Sequence, residues 1–502
     1  MQKRDFEKDV KGLYEDFKNA KKINESNLFK ILNDNKDTVF GKKYNFSNIS
    51  SIKEYQNSVP LTTYNEYTDG NEYAYDVGYH LATSGTLGNQ KKFTVSKLAM
   101  ELYGGYNFEM PFYLLNMNTE KGINISTFKN PEEETLLSCA LYDYLRKNGY
   151  YDEKDFYDHE FLFVDTNKNI FYIKMYIALA HKDVTYFDSI FLYDLLNSFK
   201  YLQENWQLLL NDIKNKTFSV SISKEEQEIL LRQEFSKERI DEIERIFNEG
   251  FDEPIIKKLF PDLRFVSGVG GGKYEVYDKG LREFIGDVDI YYYIYAQTEC
   301  TMGVPLEMNK AYYAMMPKTC FYEYRDVITE EIKLPHELEI GKEYEPIVTT
   351  FSGLYRYHTG DKIKMIEYIY DTPVIMVRGR INSVINIAGE KVDDADISLT
   401  MEKLKEKYRF NQFAVGVDKR VYPNRYILFV EANEIEDSFA IDFDESLRSI
   451  SFDYDELRDR DSINQPIAKI INTKEFASIQ KGQIKPKVVI DDKIVERWIN
   501  EQ

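Results

Sequence analysis

This sequence predicts a large α/β body followed by a small α+β unit. Two stretches carry that prediction. From residue 263 the chain reads as strand, glycine cluster, helix and strand: LRFVSG, then Gly268, Gly270, Gly271 and Gly272, then a helix over about 274–284, then VDIYYYIYA. That order builds parallel sheets covered by helices. After Arg380 the pattern changes to a helix over about 393–408, the strands FAVGV and YILFVEA, and another helix. The expected division is a domain over 1–379 and a small mobile C-terminal domain over 380–502.

Composition bounds the rest. The 502 residues correspond to two to four domains at about 150 residues each. Lys plus Arg total 65 against 85 Asp plus Glu, a formal charge of −20. Such a balance argues against nucleic acid or an anionic membrane as partner. Hydrophobic residues make up 43%, enough for a large core. Cys139, Cys300 and Cys320 are too scattered for a disulfide framework, so a reducing, cytoplasmic setting is expected. MQKRDFEKDV has no apolar core, no signal peptide is expected, and no apolar run reaches the ~18 residues of a membrane span. The longest such run, about 170–180, is broken by Lys174.

Each element has its own signal. Phe6, Val10, Leu13, Tyr14 and Phe17 recur at helical spacing. Helical patterns are read over 97–117 and 186–213. Ser223 with Glu226 fits a capping box, and the charged run 224–249 reads as a solvated helix face. Residues 288–296, VDIYYYIYA, read as one buried strand, with Tyr291, Tyr293 and Tyr295 on one face. Residues 347–370 alternate like antiparallel strands around a Gly360–Asp361 turn.

Three loops carry chemistry. Thr83, Ser84, Gly85 and Thr86, then Gly88 and the Lys91–Lys92 pair, combine hydroxyls, backbone N–H groups and positive charge, as a polyphosphate requires. The spacing is not that of a Walker loop. Tyr295–Ala296–Gln297–Thr298–Glu299 ends a strand on a hard oxygen ligand suited to Mg²⁺. Gly353-Leu-Tyr-Arg-Tyr-His-Thr-Gly-Asp361 ends on a turn aspartate able to accept two hydrogen bonds from a ribose diol. Taken singly, these are equally a surface turn, a turn glutamate and a hairpin. Cys300 reads as a buried thiol.

Taken in order, with MVRGRINSVINIAGEKV following, the loops resemble the adenylate-forming superfamily of acyl-CoA synthetases, adenylation domains and luciferases. Within it, DTVFGKKYNFSNISSIKEYQNSVPLTTYNEY, LATSGTLGNQKKF, YAQTECTMGVPL and VTTFSGLYRYHTGDKIKM resemble the auxin-responsive Gretchen Hagen acyl-acid amido synthetases. The resemblance spans about residues 25–490. Gln297–Thr298 stands where that family has a small-residue pair, and His358–Thr359 where it has a basic and an aliphatic residue.

The resemblance implies an ATP-dependent ligase that makes an acyl-adenylate, releases pyrophosphate and passes the acyl group to an amine, expected to be an amino acid. Ser84, Gly85, Thr86 and Lys92 would hold the β- and γ-phosphates. Thr298 would reach the α-phosphate, and Glu299 would bind Mg²⁺. Gly270, Gly271, Gly272 and Tyr274 would border the adenine. Asp361 would take the ribose hydroxyls with Arg380, and Tyr295 belongs with the nucleotide-binding set. Lys485 would steady the α-phosphate, with Lys481 as the other register. A hinge is expected over 380–383. His358 would contact substrate, help deprotonate the amine or serve the structure. The acyl pocket would come from helices within 97–210. The chain is expected to be a monomer or weak dimer. A coenzyme A or carrier acceptor, and a catalytically degenerate nucleotide-binding protein, are the alternatives.

Overall fold

The computed structural model describes residues 6–67, 73–82, 91–107, 120–128, 135–148, 155–163, 169–381, 384–385, 387–388, 390, 392–459, 461–479 and 488–500. Among them, the strands Gly122–Asn124, Tyr186–Phe191, Phe265–Val269 and Asp289–Tyr292 lie side by side, all parallel. A parallel sheet is buried on both faces, so its strands are rich in apolar residues. The helices Ile170–Ala180, Leu192–Asn215 and Glu275–Ile285 pack with it in one apolar core. Lys174 lies inside the first of these helices at 0% exposure, on Asp158. Burial pulls its ammonium pKa down, and Asp158 opposes that. One buried cation thus interrupts a run that is otherwise core.

Three expectations change. Residues 186–191 form a strand, and the helix begins at Leu192. The aromatic-rich segment YFDSIF slots between two neighbouring strands, and burial on both faces hides the alternation that distinguishes strand from helix. The helix read over 97–117 is Lys97–Asn107 among the described residues. The run 224–249 is two helices, Lys224–Leu231 and Lys237–Asn248. Ser223 and Glu226 form the capping box of the first, and Ser236 caps the second.

A nine-stranded mixed-order sheet, antiparallel at each pairing, makes the second layer. The segment read as one strand over 288–296 is divided between the two sheets. Asp289–Tyr292 belongs to the parallel sheet, and Tyr295–Ala296 forms an edge of the antiparallel one. At the crossing the Tyr293 N–H donates to the Gly268 carbonyl at 2.9 Å. The three tyrosines therefore do not share one face. Tyr291 and Tyr293 meet edge to face at 6.2 Å, while Tyr295 enters the core of the other sheet.

The N-terminal helix Phe6–Lys18 buries Leu13 and Phe17 on the antiparallel layer. The 50s segment is tied to the same layer by Arg356. Its guanidinium forks onto buried Glu323 at 2.9 and 3.0 Å and donates to the Gln56 and Val59 carbonyls. The C-terminal unit is built on a three-stranded sheet of Phe413–Asp418, Arg425–Val430 and Asn464–Ile470. Its helix Asp394–Lys405 rests on the glycine loop and on the helix Glu275–Ile285. Tyr277 stacks on Phe413 with centroids 6.3 Å apart. No helix among the described residues is long and apolar enough to cross a membrane. Cys139, Cys300 and Cys320 are buried free thiols.

Candidate functional site

The sheet crossing after Tyr292 brings the strand-end motif to the hairpin that begins at Asp361. Asp361 opens the strand Asp361–Ile369, and Arg380 ends the facing strand Thr372–Arg380 directly opposite it. The pair is closed by Arg380 Nη1 donating to Asp361 Oδ1 at 2.9 Å. Gly360 precedes it at φ +72°, a conformation that favours glycine, and a Cβ there would crowd the Arg380 guanidinium. The Gly360 N–H donates to Glu345 at 3.0 Å, and Glu345 also takes His358 Nδ1 and Arg325. Burial pushes the Glu345 carboxyl up, but the contacts from His358 and Arg325 hold it below the usual range. His358 is therefore bound into the scaffold of the turn.

Tyr295 comes from the far edge of the same sheet. Four strand steps separate it from the Asp361 strand, about 19 Å in a flat sheet. Its hydroxyl nevertheless donates to Asp361 Oδ2 at 2.9 Å, so the sheet curls until its edge faces the hairpin. The Gln297 amide donates to the same oxygen. Next along, residues 297–300 form a tight turn in which Gln297 and Cys300 exchange N–H···O bonds of 2.9 and 3.2 Å. Thr298 sits within this turn, and Glu299 extends from it.

Glu299 is 8% exposed and accepts from Tyr357 at 3.3 Å. Burial pushes its carboxyl up. Arg380 and Lys91 draw it back, and Asp361 pushes it further up. Arg380 answers both acids: burial lowers its pKa, but Asp361 and then Glu299 raise it overall. The geometry thus unites Tyr295, Glu299, Asp361 and Arg380 in one electrostatic group.

The glycine loop lies beside that group. Gly271 and Gly272 have φ of +70° and +52°, and a Cβ on Gly272 would stand 2.3 Å from the Val377 carbonyl. Val377 belongs to the strand that ends at Arg380, so the loop rides on the same support as the Asp361 pair. Gly270 has similar closeness to Asp278, whose Oδ2 takes the Gly271 N–H at 2.7 Å and the Tyr292 hydroxyl at 3.1 Å. Burial pushes the Asp278 carboxyl up to about 7. Tyr274 closes the loop, its N–H donating to the Gly271 carbonyl at 2.9 Å.

Lys92 is exposed at the start of the strand Lys92–Ser96, its N–H bonded to the Tyr64 hydroxyl at 2.9 Å. Lys91 lies over the Tyr64 ring, and its charge is the one that acts on Glu299. Ser84, Gly85, Thr86, Lys481 and Lys485 lie outside the described residues, as do 382–383 of the expected hinge. Among the described residues no group of three metal-ligating side chains comes together. The sequence marked Lys91 as a phosphate-loop cation beside Lys92, but it singled out neither Tyr357 nor Asp278 as a partner of the site. Tyr357 stands within the Gly353–Asp361 motif, and Lys91 immediately precedes the strand that Lys92 begins.

Comparison with known proteins agrees with this layout. Family models described as the GH3 family N-terminal, central and C-terminal domains match residues 9–290, 313–380 and 395–502. The indole-3-acetic acid-amido synthetase GH3.2 of Arabidopsis thaliana is 22% identical, over 94% of this chain and 97% of its own. The solved structure of the GH3.15 acyl acid amido synthetase superposes with a TM-score of 0.82 at 20% identity, covering 98% of this chain and 95% of that one. A 2-hydroxyisobutyryl-CoA ligase in its postadenylation state shares the fold more distantly, with a TM-score of 0.58 at 11% identity over 96% and 91% of the chains. The large α/β body with a small C-terminal unit is thus the adenylate-forming fold, and the chain belongs to the GH3 family.

Proposed function

We propose that this chain is an ATP-dependent acyl-acid amido synthetase. It activates a carboxylic acid as an acyl-adenylate, releases pyrophosphate and transfers the acyl group to an amine, an amino acid by preference. The observation that carries this reading is the Asp361–Arg380 pair lying one turn from buried Glu299. A ribose acceptor and a carboxylate for the phosphate end then share one support. Family membership supports the same chemistry.

The residues divide the work by their chemistry. Asp361 accepts from the ribose, Arg380 holds it in place, and Tyr295 fixes its orientation. Gly270, Gly271, Gly272 and Tyr274 border the adenine. Thr298 offers a hydroxyl to the α-phosphate. Ser84, Gly85, Thr86 and Lys92 take the β- and γ-phosphates, with Lys91 adding charge toward Glu299.

Glu299 suits Mg²⁺: it is a hard oxygen donor whose ionised form burial disfavours, so a cation beside it offsets that penalty. One protein carboxylate, with phosphate oxygens and waters completing the sphere, is a normal Mg²⁺ site. When bound, the ion neutralises charge on the phosphates. Lys485, on the small domain over 380–502, supplies the donor to the α-phosphate as negative charge builds.

One experiment tests the assignment. Adenylation and transfer are measured separately, with amino acids, hydroxylamine and coenzyme A as acceptors. Wild type is expected to form amides in preference to thioesters. Lys485→Ala is expected to lose about a hundredfold in adenylation yet transfer from preformed acyl-adenylate. Preferred thioester formation would select the coenzyme A reading. Equal loss in both half-reactions would remove Lys485 from the α-phosphate.

A further inference from the structure

We infer that the Gln297 carboxamide is the second half of the ribose-recognition site and selects one hydroxyl of the diol. The inference rests on the nucleotide reading of Asp361 given above. An ionised carboxylate accepts about four hydrogen bonds, two on each oxygen. Asp361 Oδ2 already takes the Tyr295 hydroxyl and the Gln297 amide, and Oδ1 takes Arg380. One acceptor position remains on Oδ1, whereas a ribose diol brings two O–H donors.

The missing acceptor is on the neighbouring side chain. Gln297 Oε1 is buried and has no hydrogen-bond partner. Its orientation is set by chemistry, because the amide N–H₂ must face the carboxylate; the reverse would place oxygen against oxygen. The amide is thus locked with its carbonyl turned away from Oδ2 and in want of a donor. A buried acceptor without a donor is unfavourable, and a neutral hydroxyl is the group that relieves it without bringing charge. Asp361 Oδ1 and Gln297 Oε1 together supply two acceptors, the number a diol requires. No donor now on Asp361 has to leave. In this arrangement Tyr295 and Arg380 keep their contacts, and Gln297 contributes through both ends of one planar group.

The test measures binding of ATP, 2′-deoxy-ATP and 3′-deoxy-ATP to the full chain, for wild type, Gln297→Ala and the similarly sized Gln297→Met. Wild type is expected to bind at least one deoxy analogue several-fold more weakly than ATP. Both variants are expected to bind ATP about five- to tenfold more weakly, from the loss of one hydrogen bond. That penalty should vanish for one deoxy analogue and persist for the other, a pattern that loosening of the fold would not give. Equal weakening for all three nucleotides would overturn the inference in favour of a structural role. So would unchanged or tighter ATP binding, which would mean that Oε1 faces only water or that Gln297 blocks the site. Wild type binding all three nucleotides alike would instead overturn the ribose reading of Asp361, and this inference with it.

Discussion

Glu299→Ala is expected to lower acid-dependent pyrophosphate exchange on the order of a hundredfold or more, the scale seen when one preorganised charge contact to a reacting phosphoryl group is removed. Glu299 is held in a buried turn where its own charge is disfavoured, with Arg380 and Lys91 only partly countering. A protein keeps a carboxylate in such a place at a cost to stability, so removing it should leave the fold intact or firmer while the chemistry is lost. Glu299→Gln separates the two effects, because it keeps the size and a group that can accept from Tyr357 but loses the charge. Both variants should unfold at or above the wild-type denaturant midpoint, and both should need far more Mg²⁺ for any residual exchange. Wild-type exchange in either variant would remove Glu299 from the metal and phosphate region.

The second large effect is on stability. Arg356→Ala is expected to destabilise the folded chain by about 3–5 kcal/mol, the usual result of leaving a buried charge without its partner. Glu323 is 0% exposed and would keep only the Gln56 amide at 2.9 Å. The carbonyls of Gln56 and Val59 would lose their donor as well. Arg356 also holds φ +47°, a left-handed conformation that a side chain adopts at some cost and that these contacts sustain. The double replacement Arg356→Met with Glu323→Leu should recover much of the loss, since neither charge is then stranded. Urea unfolding of wild type and these two variants measures this. A single variant within 1 kcal/mol of wild type, well under that range, would mean that water reaches Glu323.

How much of this was legible depends on the distance over which a residue finds its partner. Asp361 was readable from its Gly-Asp turn, whereas Arg380 came only with the family resemblance, and the structure shows it closing the strand opposite. The Gln297–Asp361 contact spans 64 residues and depends on the curl of the antiparallel sheet, which no local pattern encodes. Gln297 appeared in the sequence only as a departure from a small-residue pair. The tyrosine run 291–295 was misread for a related reason: alternation says which side chains share a face only while the strand stays in one sheet. Lys174 looked like an interruption of an apolar run and is a buried ion pair instead, since Asp158, 16 residues earlier, folds back onto it. The −20 charge argued against nucleic-acid and membrane partners but said nothing of the site, where Arg380 and Lys91 act on Glu299.

The most direct test of the central claim is ATP–pyrophosphate exchange measured across a panel of carboxylic acids with Mg²⁺ present. Exchange is expected to require the acid, to saturate with it, and to fall away when an amine acceptor drains the acyl-adenylate into AMP and amide. ATP binding with no exchange for any acid would contradict it and leave a nucleotide-binding protein without ligase chemistry.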